Sequence, residues 1–350
     1  MLSQTLDVDV VVFDNDLTLA QQRNLQKKFH CDVVDRVGLI LDIFAQHATS
    51  KESMLQVELA LLRYTLPRLS GQGITLSRQA GRIGGRGPGE KKLETDRRRV
   101  QQRIARLSRE LKELSGTRST QRKSRRRSDL PLVALAGYTN AGKSTLLNRL
   151  THSDVLTEDR LFSTLGSTVR RTDLAVGEPV LISDTVGFVR RLPHELIEAF
   201  RSTLEEILDA DLIAHVVDAS DPYAEDQIGA VREVLAEIDA HRIEELIVFN
   251  KTDEANPITV RRLLALYPES LSCSALKGTD TDHVAEVIVE HLRGAILELE
   301  LFVPYDQPSL LAQIHRDSDV SDTQHGDEGT TVTTKIHASR ATDYADLRTG

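Results

Sequence analysis

Nine residues, Gly137-Tyr138-Thr139-Asn140-Ala141-Gly142-Lys143-Ser144-Thr145, carry the spacing GxxxxGKS, which is suited to gripping phosphate. Glycines let successive backbone N–H groups turn inward as an anion nest, and a helix starting there adds the positive end of its dipole. Lys143 can reach the β- and γ-phosphates of a nucleotide, and the Ser144 hydroxyl can ligate Mg²⁺. A chance glycine turn matching these four positions is expected in roughly one chain in a hundred of this length. The apolar run of residues 132–136 before it and the helical run of 145–150 after it supply the strand–loop–helix context the motif needs. The segment is read as a nucleoside triphosphate site.

Two more motifs follow in order. Val180-Leu181-Ile182-Ser183 reads as a buried strand delivering Asp184, and Asp184-Thr185-Val186-Gly187 has the DxxG form. It places Asp184 to hold Mg²⁺ through water and the Gly187 amide to face the γ-phosphate. The run of residues 246–249 leads into Asn250-Lys251-Thr252-Asp253, an NKxD motif. Asp253 can accept from both N1–H and the N2 amine of guanine, whereas ATP would leave that carboxylate buried and unpaired. Ser272-Cys273-Ser274-Ala275, continuing to Leu276, follows a short strand and can present a backbone N–H to the guanine O6. His215, inside the strand of residues 212–218, is read as a packed core residue. No metal-ligand spacing stands out beyond the Mg²⁺ site.

Strands and helices alternate from about residue 129 to 297, which predicts a doubly wound parallel α/β sheet to position these motifs. Residues 1–50 read as a small α/β unit, with a buried strand over 8–13, a helix over 18–29 and a short strand at Val33-Val34. Leucines at 55, 59, 62, 66 and 69 are spaced four and three apart, with Pro67 expected to kink or end the helix near Leu66. A second seam runs through Val100, Ile104, Leu107, Leu111 and Leu114. Together they predict an antiparallel hairpin within residues 51–128; separate packing of each helix is the alternative. Between them, residues 71–89 hold seven glycines among 19 residues, with Arg78, Arg82 and Arg86 interspersed, and predict an irregular cationic loop. Residues 91–127 carry 15 Lys and Arg against 4 Asp and Glu, a net of +11 that leaves −20 for the rest of a chain totalling −9. A basic arm on an acidic body points to a polyanion such as folded RNA; a solvated helix face is the alternative. Residues 298–350 read as a small α/β appendage or a partly ordered tail. No stretch approaches 18 consecutive apolar residues, the first residues lack a signal-peptide pattern, and Cys31 and Cys273 are the only cysteines. A cytoplasmic monomer without a disulfide framework is expected.

The motif string resembles a translation-factor-class GTPase and, more closely, the HflX family. Residues 137–145 and Asp184-Thr185-Val186-Gly187-Phe188 carry the likeness, as do Leu192-Pro193-His194, residues 199–206 and 215–219. Residues 35–46, 56–60, 86–90 and 93–98 are similar to HflX segments as well. The resemblance implies a GTP-hydrolysing, ribosome-associated protein. Its helical arm and glycine-rich loop, residues 71–127, would reach the RNA of the large ribosomal subunit, and its function would be to split or rescue ribosomes under stress. Ribosome assembly, or a non-catalytic RNA-binding module, are the alternatives. It implies GTP or GDP with Mg²⁺ as cofactors, and a metal set of Ser144, Thr164 and Asp184. The first-switch stretch Phe162-Ser163-Thr164-Leu165-Gly166 adds to the nucleotide-contacting residues. Lys143, Thr164, Gly187 and Asn140 form the catalytic set, with Asn140 expected to help bind K⁺; a loop-closing hydrogen bond is the alternative for Asn140. Two departures are visible. Gly166 and Ser167 replace an aspartate and a proline of the family's first switch, which should loosen it. Family members usually carry a further half-domain before Val8, so the N-terminal unit is expected to be cut short or its start misplaced. Phe188 stands where a water-orienting glutamine would follow DxxG, so slow intrinsic hydrolysis, completed by the ribosome, is expected.

Overall fold

The computed structural model describes residues 8–69, 88–126, 130–152, 168–174, 178–185, 187–190, 201–294, 296–307, 310–311, 314–315, 318–337, 344 and 347. Expectations placed on residues 71–87, Phe162, Ser163, Thr164, Leu165, Gly166, Val186 and the stretch 192–200 fall outside these. The chain divides into two units, one built on residues up to 116 and the other on most of 117–350.

In the first unit, strand β1 (Val10–Val12) pairs in parallel with β2 (Asp32–Val34), linked by helix α1 (Leu19–Phe29). Thr18 and Gln21 start α1 as a reciprocal capping box, satisfying two orphan donors at once. The reading of residues 8–13 as a buried strand is corrected. Val10 and Val12 are 43% and 51% exposed, because a two-stranded sheet has no inner strand. Helix α2 (Arg36–His47) is capped by Asp35, whose side chain accepts from the Gly38 N–H at 2.8 Å. The same buried carboxylate accepts from the Tyr64 hydroxyl and from the Arg68 guanidinium at 2.9 Å, fastening α2 to the end of α3 (Lys51–Leu69). Helix α3 runs past Pro67, not ending near Leu66. In the last turn the proline removes only one backbone donor, and Arg68 caps the Tyr64 carbonyl at 2.8 Å.

Helix α4 (Pro88–Arg126) is 39 residues long, so Pro88 and Gly89 open it and do not belong to the preceding irregular stretch. Leu55, Leu59 and Leu62 of α3 pack with Ile104, Leu107, Leu111 and Leu114 of α4. Arg103 grips Glu58 through two bonds of 2.7 and 2.8 Å, while Lys51 acts on the Glu110 carboxylate. Rising α3 numbers thus meet falling α4 numbers, which makes the pair antiparallel.

The second unit holds a six-stranded sheet in the order β4-β5-β3-β6-β7-β8. These strands are β3 (Leu132–Gly137), β4 (Thr168–Leu174), β5 (Glu178–Asp184), β6 (Leu212–Asp218), β7 (Glu245–Asn250) and β8 (Leu271–Ser272). All neighbours are parallel except β4, which runs antiparallel on β5 as an edge strand, so the sheet is mixed. Strands β3, β6 and β7 are almost wholly buried because helices cover both faces. Helices α5 (Lys143–Thr151) and α9 (Thr281–Gly294) pack on one face through Leu146, Leu147, Val284 and Ile288. Helices α7 (Ala224–Glu237) and α8 (Pro257–Leu266) pack on the other through Ile228 and Leu263. Helix α6 (Arg201–Leu208) precedes β6 and buries Leu204 and Ile207. A three-stranded antiparallel sheet follows, β10-β11-β9, from β9 (Ile296–Pro304), β10 (Asp319–His325) and β11 (Gly329–His337). Its core is Leu301, Val303, Ile314, Val332 and Tyr344.

Candidate nucleotide site

The chain leaves β3 for β5 on one side and later β6 on the other, so the end of β3 is the switch point where an open α/β sheet takes ligands. Gly137 to Gly142 fill that turn. Gly137 lies so close to β6 that a Cβ would stand 2.2 Å from the Val216 carbonyl oxygen, and Gly142 adopts φ +92° as α5 starts. Asn140 is exposed, also with positive φ (61°). Thr139 and Ala141 are buried, and Thr145 is half-buried in the first turn of α5.

Lys143 is buried and donates from Nζ to the carbonyls of Gly137 at 3.1 Å and Tyr138 at 3.0 Å. Burial lowers its pKa to about 8, partly offset by the nearby Asp184 carboxylate. Ser144 donates its hydroxyl to Asp184 Oδ2 at 2.6 Å, bringing an α5 residue and the end of β5 together as two adjacent oxygens. Thr185 ties the next residue down, donating to the Leu135 carbonyl at 2.7 Å. Gly187 has no room for a side chain: a Cβ would stand 2.9 Å from Thr139 Cγ2 and 3.3 Å from Lys143 Nζ. Phe188 then pairs with the phosphate loop, its N–H on the Gly137 carbonyl (3.1 Å) and its carbonyl accepting from Thr139 N–H (2.8 Å). Its ring is buried, so this residue builds the loop and orients no water. The Tyr138 hydroxyl accepts from the Arg190 N–H at 3.1 Å.

On the other side, β7 delivers Asn250, which is buried. Its Nδ2 donates to the Ala141 carbonyl and its Oδ1 accepts from the Ala275 N–H, both at 2.9 Å. Asn250 therefore bridges the phosphate loop to the segment after β8, and the Ala275 amide is held by this bridge. Lys251, at φ 60°, pairs with Asp218 at 2.8 Å. Ser274 donates to Asp253 Oδ1 at 2.6 Å and accepts from the Lys277 N–H, fixing the Asp253 carboxylate. The Thr252 N–H donates to the Cys273 carbonyl, and burial pushes the Cys273 thiol up to about 12. Leu276 is exposed.

Residues 137–145, 184, 185, 187, 250–253 and 274–276 thus gather at the C-terminal edge of one sheet. Three further side chains border them: Asp218 and Arg149, outside the motifs, and His215, the packed core residue its strand position predicts. Asp218 holds Lys251; its place at the end of β6 was a visible signal. Arg149 reaches from α5 to the Ala275 and Leu276 carbonyls, and nothing in its local sequence announces a contact 126 residues away. His215 is buried below the site, its Nδ1 2.6 Å from Glu245, which also pairs with Arg232. Burial holds His215 below its usual pKa. Glu245 sits at about 2, burial being outweighed by hydrogen bonds from His215 and Arg232. Among the described residues, no cluster of three or more His, Cys, Asp or Glu could hold a metal ion, and no helix is long and apolar enough to cross a membrane.

Three family models match: GTP-binding GTPase N-terminal over residues 1–45, GTP-binding GTPase Middle Region over 47–125, and 50S ribosome-binding GTPase over 132–251. The chain is 43% identical over 335 residues to GTPase HflX of Magnetococcus marinus, covering 94% of this chain and 77% of that one. It is 46% identical over 310 residues to GTPase HflX of Escherichia coli strain K12, covering 88% and 72%. Among solved structures, a GTP-binding protein from Sulfolobus solfataricus in complex with GDP aligns at TM-score 0.47 and 23% identity, covering 83% of this chain and 82% of that one. At that distance the likeness adds no functional information. The sequence identities, their span and the domain models show that this chain belongs to the HflX family of GTPases, enzymes that bind and hydrolyse GTP.

Proposed function

We propose that this GTPase binds the large ribosomal subunit through residues 71–127 and, switched by GTP, splits or rescues ribosomes under stress, acting as a monomer in the cytoplasm. The observation that carries the reading is the net +11 of residues 91–127, most of it along the single helix α4 of an otherwise acidic chain. Such a basic limb suits phosphate-rich RNA. A family model described as a 50S ribosome-binding GTPase, lying next to it in the sequence, supports the choice of partner.

At the nucleotide, Lys143 would exchange the Gly137 and Tyr138 carbonyls for β- and γ-phosphate oxygens, and the Gly187 amide would face the γ-phosphate. Asp253, oriented by Ser274, would pair with the guanine N1–H and N2 amine. Ser144 and Asp184 place two hard oxygen donors side by side, a pairing that suits Mg²⁺, with Thr164 as a third ligand. Bound there, Mg²⁺ supplies neutralisation of the charge on the β- and γ-oxygens. Asn140, exposed in the phosphate loop, is assigned to a K⁺ ion. Because Phe188 is built into the loop, turnover should be slow alone and faster with large subunits.

Sucrose-gradient profiles of ribosomes with this protein and GTP, GDP or a non-hydrolysable analogue test the function. Loss of intact ribosomes to subunits in the triphosphate state is expected. Accumulation on immature particles would move the protein to ribosome assembly, and no co-sedimentation would refute the partner. Phosphate release in K⁺ and in Na⁺ tests Asn140: equal rates remove the K⁺ assignment.

A further inference from the structure

We infer that Arg149 is a positioning residue for guanine selection, locking the base-side loop to the helix that begins at the phosphate loop. This rests on the guanine reading of the site. Helix α5 starts at Lys143, and its seventh residue, Arg149, is the next but one before its end at Thr151. The guanidinium donates from Nε to the Ala275 carbonyl at 3.1 Å and from Nη2 to the Leu276 carbonyl at 2.8 Å. These are two consecutive carbonyls of the segment proposed to face the base. A planar fork with fixed donor directions suits two neighbouring acceptors; an ammonium does not.

The backbone of the loop is shaped around this side chain. Gly278, at φ +78°, lies so near that a Cβ would stand 3.2 Å from Arg149 Cζ and 3.5 Å from Nε and Nη1. The amide side of the same loop is held separately, by Asn250 accepting from the Ala275 N–H. The two peptide groups on either side of the Ala275 Cα are therefore each tied to an element that also borders the phosphate loop: Asn250 to the Ala141 carbonyl, Arg149 to α5 itself. Without Arg149 the Ala275 N–H stays bonded to Asn250 but the Ala275 and Leu276 carbonyls lose their anchor, and this stretch can tilt about the Asn250 contact. The cost falls on contacts to the base edge, at O6, and spares the phosphate grip.

The test uses the full chain with Arg149→Ala and Arg149→Lys, measuring affinity and release of GDP, GTP and the triphosphate of 2-aminopurine riboside. The last keeps the N2 amine but lacks O6 and, with it, the N1–H that Asp253 would accept. Two partly exposed charge-assisted bonds predict roughly fivefold weaker GTP and GDP binding for Arg149→Ala, through faster release. Turnover at saturating GTP should stay within about twofold, and the 2-aminopurine nucleotide should lose little. Arg149→Lys should recover part of the loss. Melting should barely move, since Arg149 is an exposed position. Equal losses for both nucleotides would show a general effect on the phosphate grip and overturn the inference, as would no loss at all. Wild-type protein holding ATP as tightly as GTP would instead overturn the guanine reading, and the inference with it.

Discussion

Replacing Asn250 by alanine should destabilise the nucleotide-free protein. The Asn250 carboxamide is 2% exposed and satisfies the Ala141 carbonyl and the Ala275 N–H, which belong to residues each 1% exposed. Truncation strands both groups where water cannot replace the lost partner, at about 1–2 kcal/mol each. Adding a small cavity, the total comes to about 2–5 kcal/mol, and a unit of this size loses about 2–4 °C of melting temperature per kcal/mol. Calorimetry without nucleotide should therefore show the transition of this unit falling by about 5–15 °C. Asn250→Asp keeps an acceptor for the Ala275 N–H but turns a buried carboxylate oxygen on the Ala141 carbonyl, and should fall at least as far. Amide exchange should speed up in residues 141–150 and 272–278 together. A drop of less than about 2 °C without nucleotide would refute the bridge and leave Asn250 as a nucleotide contact alone.

Acid should also destabilise the fold, in a stated window. His215 is held below its ordinary value of 6.5 by burial, so the unfolded chain takes up a proton below pH 6.5 that the folded chain refuses. Stability should fall as pH drops from there by up to about 1.4 kcal/mol per unit, and Glu245, at about 2 when folded, adds to the loss only below its ordinary 4.5. Urea titrations at several pH values should show this slope, and His215→Gln should flatten its upper part. Gly187→Ala puts a methyl against Thr139 and Lys143 Nζ, and should cut GTP hydrolysis at least about tenfold in a phosphate-release assay while GDP affinity changes little. Leu107, fully buried between α3 and α4, should cost about 2–4 kcal/mol as alanine, read as earlier unfolding of the helical pair with the nucleotide-stabilised melting of the second unit unchanged.

What could be read from the chain depended on how locally each feature is encoded. Strands β3, β6 and β7 are mostly apolar runs, interrupted inside β6 by His215, because both faces are covered, and they announce themselves. Strand β4, Thr168 to Leu174, lies at the sheet edge with Arg170, Arg171 and Asp173 in it, and no apolar pattern separates it from loop. The same holds for β10, whose Asp322, Thr323 and Gln324 are mostly open to water. Val10 and Val12 carried the opposite error, since an apolar strand is buried only where neighbours exist to cover it. The motifs GxxxxGKS, DxxG and NKxD could be found because each is contiguous. The bridges that assemble them could not: Asn250 to Ala141, Arg149 to Leu276 and His215 to Glu245 join residues between 30 and 127 positions apart. Such pairings are set by the register of the sheet.

The rung that Phe188 adds beside the phosphate loop carries a last implication. If Gly187 reads the terminal phosphate, as proposed, any shift of its peptide is passed at the very next bond to the Phe188 N–H on Gly137 and the Phe188 carbonyl on Thr139. Those two residues belong to the loop proposed to cradle the inner phosphates. Sensing at one end of the triphosphate and holding at the other would then be wired in series. Loss of the outer group should loosen the grip on the diphosphate left behind, a built-in route to product release.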